Sequence, residues 1–88
     1  MEQVHGLNGR IRTFVETKFP LARSRKISND YPLLETGIVD SLGVLDLVSF
    51  IEEEFHITVA DDDLVPDNFQ SIARIASFVS ERTKWLAA

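Results

Sequence analysis

Few residues in this chain could do chemistry, and their spacing limits what that chemistry can be. Ser41 stands between an aspartate and a leucine in Glu35-Thr36-Gly37-Ile38-Val39-Asp40-Ser41-Leu42-Gly43, at the head of an apolar-periodic run. As a nucleophile it would need a base within hydrogen-bond reach, a third group to orient that base, and an oxyanion hole. The two imidazoles are His5, near the N-terminus, and His56. His56 follows the far end of the helix that Ser41 opens, about 22 Å away by helical rise. No G-x-S-x-G elbow surrounds the serine. With no cysteine in the chain, a thiol nucleophile and a thiolate metal site are also excluded. The chain does not read as an enzyme.

Two acidic triplets, Glu52-Glu53-Glu54 and Asp61-Asp62-Asp63, raise the question of a metal. A calcium loop starting at Asp61 would want glycine at its sixth position and glutamate at its twelfth, where this sequence has Pro66 and Ile72. Consecutive acids on a helix point in different directions, so the expected reading is a solvated charged face with no metal site. Residues 31–70 hold ten acids and no base, whereas residues 1–30 hold six bases against three acids, within a net charge of −5. Such a segregated field repels nucleic acid and anionic lipid from the middle segment and steers basic protein surfaces toward it. Arg23, Arg25 and Lys26 have no interleaved aromatics and read as solvated loop charge rather than a nucleic-acid patch.

The elements that must position Ser41 follow from periodicity. Leu7, Ile11, Phe14 and Val15 predict a first helix over about 7–18, stopped by Pro20. A long connection over 20–40 follows, with Leu33, Leu34, Ile38 and Val39 expected to anchor it on the core. Leu42, Leu45, Val48, Ile51 and Phe55 predict a helix over 41–55, capped by Asp40 or Ser41. Gly43 is anomalous inside it, since glycine costs about 1 kcal/mol relative to alanine in a helix interior. The expectation is that its missing side chain leaves open surface beside Ser41. A short irregular stretch with one helical turn before Pro66 is expected next, then a last helix from about Ser71 through Trp85, with Phe78 and Trp85 at the core or its edge. No strand pattern, repeat or low-complexity tract is present. Eighty-eight residues with 44% apolar content fit one all-α domain over 1–88, its ordered core about 7–86. No apolar run approaches the roughly 20 residues of a membrane span. The N-terminus lacks a secretion-signal pattern, so a cytoplasmic location is expected.

Taken together, GIVDSLGVLDLVSFIEEEF, the acidic stretch after it and NFQSIARIASFV resemble an acyl carrier protein over about residues 7–82. The resemblance implies a small four-helix bundle with a long first loop and a short third helix. It implies that Ser41 bears 4′-phosphopantetheine, moved there from coenzyme A by a phosphopantetheinyl transferase. The terminal thiol of that group carries an acyl or aminoacyl thioester. Asp40, Asp46, Glu52 and Glu53 match the family's acidic recognition helix, and Leu42 matches the apolar contact beside the serine. The implied partners are the transferase, an acyl- or aminoacyl-activating ligase, and acyltransferase or synthase enzymes with basic docking surfaces. Gly43-Val44 departs from the carriers of fatty-acid synthesis and looks more like freestanding, monomeric carriers of specialised acyl pathways or D-alanyl and aminoacyl carriers. An acidic helical adaptor, with Ser41 only a cap, is the competing reading.

Overall fold

The computed structural model describes the backbone of residues 2–87 and the side chains of residues 6–83. Helices account for all regular structure among them, in the order α1 (Glu2–Lys18), α2 (Pro20–Arg25), α3 (Ser41–Phe55), a 3₁₀ turn (Asp61–Asp63), α4 (Pro66–Phe69) and α5 (Ile72–Ala87). This is the all-α bundle expected, with a further short helix, α2, where the sequence suggested the start of a loop. Pro20 ends α1 and also begins α2. A proline at the first helical position loses no hydrogen bond, because that amide has no intrahelical acceptor in any case. Lys26 then closes α2 in the left-handed conformation at φ 51°.

The connection is therefore shorter than expected, and it is tied down along its length. Ile27, Leu33, Ile38 and Val39 are buried, and Leu34 packs partly against the core. The Leu33 amide donates to the Gln70 carbonyl at 2.7 Å and the Ala73 amide donates to the Asn29 carbonyl at 2.8 Å. Arg12 holds the loop from α1, donating to the Ile27 carbonyl at 2.8 Å and the Asn29 side chain at 2.6 Å. These bonds satisfy polar backbone that would otherwise be stranded over an apolar core. The result is a fixed approach to Asp40 and Ser41.

Ile11 and Val15 of α1, Leu47 and Ile51 of α3, and Ile72, Ile75 and Val79 of α5 fill the centre. On one flank α1 and α3 meet through aromatic rings. Phe14 stacks on Phe50 with centroids 4.3 Å apart, while Phe19 and Phe55 extend the row edge-on. Phe78 is buried against Phe69, as a core residue should be. The side chain of Trp85 lies outside the described residues. The Ser71 hydroxyl accepts from the Arg74 amide at 3.1 Å and so caps α5.

Candidate functional site

Asp40 settles which residue caps α3. Its backbone is extended (φ −99°, ψ −170°), and its Oδ1 accepts the Gly43 amide at 2.8 Å. Ser41 is thereby left as the first helical residue, with its side chain exposed. Among the described residues, no protein group accepts from the Ser41 or Leu42 amides or bonds the Ser41 hydroxyl. The positive end of a 15-residue helix thus stands open beside a free hydroxyl. His56 caps the opposite end of α3, so it offers no general base.

Gly43 differs from its expected role. It is buried, and a Cβ there would lie 2.8 Å from Phe19 Cε1 and 3.1 Å from Val39 Cγ1. The missing side chain does not open surface; it admits the Phe19 ring beneath the first turn of α3. The open surface lies on the other side of Ser41. There a groove of about 480 Å³ is lined by Ser41 together with Leu34, Gly37, Val44, Leu64, Val65 and Pro66. Leu42 is 72% exposed and Leu45 57% exposed, and Leu64 and Val65 also face solvent. A hydroxyl at a helix start, ringed by exposed apolar side chains, suits a tethered group better than a buried reaction centre.

Residues 10–79 match the family described as phosphopantetheine attachment site. This chain belongs to that family. It is also 26% identical over 73 residues to the probable acyl carrier protein PigG of Serratia sp. (strain ATCC 39006), covering 83% of this chain and 84% of that relative. The protein is an acyl carrier domain, a carrier rather than a catalyst, whose cofactor is covalent 4′-phosphopantetheine. Carriers of this family meet a phosphopantetheinyl transferase and biosynthetic enzymes. Among the described residues no helix is long and apolar enough to cross a membrane, and no three His, Asp or Glu side chains converge as a metal site.

The residues around Ser41 fit the cofactor's chemistry. A phosphodiester on the hydroxyl would sit near the free Ser41 and Leu42 amides, and the groove offers apolar walls beside it. The Asp40 carboxylate is turned to the Gly43 amide, which fixes the turn that presents the hydroxyl.

The acidic residues of the carrier divide into two groups. Asp40 and Glu53 are exposed. Asp46 lies 3.8 Å from Lys18 Nζ, and Glu52 accepts the Val59 amide at 2.8 Å, pinning the chain that leaves α3. Asp63 corrects the reading of its triplet as wholly solvated. It accepts from Arg82 at 2.7 Å and from the Ala60 amide at 2.9 Å, and these bonds, the arginine's first, hold its carboxyl below the usual range. Asp61 and Asp62 remain exposed. Leu64 and Val65 were not legible as site residues, because only the turn through Asp61–Asp63 carries them to Ser41. Their one signal was two adjacent apolar residues preceding Pro66, outside any helical period.

Proposed function

We propose that the carrier bears 4′-phosphopantetheine on Ser41 and moves acyl intermediates between enzymes of a specialised lipid or secondary pathway. The observation that supports this most is the exposed Ser41 hydroxyl at the open start of α3, beside an apolar groove, with no imidazole among the described residues in reach. When bound, the group supplies a terminal thiol, which this chain otherwise lacks, to hold cargo as a thioester. The protein's own part is to present and to be recognised. Asp40 sets the turn, Gly43 and Phe19 lock it from below, and Leu42 offers an apolar contact to whatever approaches the serine. Asp40 and Glu53 face solvent and, with Asp46 and Glu52, give α3 a negative field that suits fast, weak docking of basic enzyme surfaces.

Incubation with coenzyme A and a broad-specificity phosphopantetheinyl transferase tests the reading. Intact mass should rise by one phosphopantetheine in the wild type and not in Ser41→Ala. An unchanged wild-type mass would return the serine to its role as part of a helix start in an acidic adaptor. Mass spectrometry of the carrier from its native cell then separates cargo classes: an acyl population supports the pathway proposed, and a solely aminoacylated one assigns it to the D-alanyl and aminoacyl carriers.

A further inference from the structure

The cations of the carrier are unevenly satisfied. Among the described residues, Arg10, Arg12, Lys18 and Arg82 each lie against a carboxylate, those of Glu54, Glu16, Asp46 and Asp63. Arg74 donates to the Asp67 carbonyl. Besides Arg74, the cations without a carboxylate partner there are Arg23, Arg25 and Lys26, all exposed and clustered within the last turn and cap of α2. Arg25 reaches only the Tyr31 hydroxyl, at 3.1 Å. Leu21, on the same six-residue helix, is 52% exposed. Leu21 and Arg25, four residues apart, thus share one face of a short element that Arg23 and Lys26 also charge.

We infer that α2 is a second docking surface, cationic where α3 is anionic, and that it takes a carboxylate-bearing patch with an apolar residue on a partner protein. Favourable interaction with a helix C-terminus accounts for one basic residue there, but a single turn of backbone does not explain three mutually repelling charges and an exposed leucine. The choice of partner follows from charge and size. A polyanion such as nucleic acid, or an extended anionic membrane, would also face the ten acids of residues 31–70. A discrete acidic patch would not. Electrostatic fields between exposed groups decay over about 8–10 Å at ordinary salt, so a partner patch seated on α2 feels chiefly the charges within that reach.

The position of α2 links it to Ser41. Phe19 immediately precedes α2, and its ring lies under Gly43, two residues beyond the serine. A protein engaging the serine can therefore reach α2 as well as α3, and contacts of opposite sign on the two elements would fix its direction of approach. This last step rests on the carrier reading; the docking surface itself does not.

Nuclear magnetic resonance titration of the full chain with a short polyglutamate peptide, with and without interspersed leucines, tests the proposal without requiring modification of Ser41. Polyglutamate should move the amides of residues 21–27 and leave those of α3 in place. The leucine-containing peptide should bind more tightly, and Leu21→Ser should remove that advantage. Arg23→Glu/Arg25→Glu/Lys26→Glu should weaken binding more than about tenfold with the spectrum otherwise folded, and Arg23→Lys/Arg25→Lys should retain it. Shifts spread equally to Arg10 and Arg74, or undiminished binding by the triple variant, would overturn the assignment. So would tighter binding of a DNA duplex or phosphatidylglycerol vesicles, or movement of the same amides with protein concentration alone. Failure of Ser41 to load would leave this result standing, so the two ideas fail separately.

Discussion

Ser41, Asp40 and Gly43 divide the work at the start of α3. The serine presents a hydroxyl, the aspartate closes the turn, and the glycine makes room for the ring that holds the turn down. Replacing Asp40 by alanine removes the Gly43 cap and should lower stability by about 1 kcal/mol in urea unfolding at neutral pH; an unchanged midpoint would mean that the capping bond is idle. Gly43→Ala sets better helix propensity against overpacking. A Cβ within 2.8 Å of Phe19 forces that ring to shift, so the variant should lose about 1 kcal/mol, and Gly43→Val more. Phe19→Leu in the Gly43→Ala background should recover part of the loss. If Gly43→Ala is instead more stable than wild type, Phe19 does not depend on the missing side chain.

At the scale of elements, the helices that carry long apolar stripes were legible and the devices that orient them were not. The spacing of Leu42, Leu45, Val48, Ile51 and Phe55 gave α3 at its observed limits. Pro20 was misleading, because proline stops one helix and starts another by the same lack of an amide hydrogen. The roles of Glu52 and Asp63 were hidden for a different reason: each acts on backbone or on an arginine brought near only by folding. Asp63 also makes stability depend on pH. Its folded pKa is lowered by the Arg82 and Ala60 hydrogen bonds, so its contribution is fully present above the unfolded aspartate range near pH 4 and is lost as pH falls through the lower folded value. Wild type should therefore exceed Asp63→Asn in stability at pH 7, and the gap should narrow below pH 4. A gap that stays constant through that window would remove the carboxylate from the account.

Across the whole molecule, Leu42, Leu45, Leu64 and Val65 gather exposed apolar surface near the start of α3, while the acids run from Asp40 along that helix to its last turn. The acids of residues 31–70 are legible in sequence order, but sequence order does not separate those used within the fold from those facing solvent. Nor does it show that Leu64 and Val65 join Leu34 and Val44 around Ser41, which depends on the loop being tied to α5 and on the 3₁₀ turn. Transfer to a basic partner enzyme should slow as salt rises, because the steering field is screened; a salt-independent rate would place recognition on the apolar residues instead. Locating the cofactor after loading with coenzyme A and transferase, by peptide-level mass spectrometry, tests attachment at Ser41. A single phosphopantetheine is expected, on the peptide containing Ser41. Its appearance on another exposed serine, such as Ser49, or on no peptide at all, would contradict that attachment.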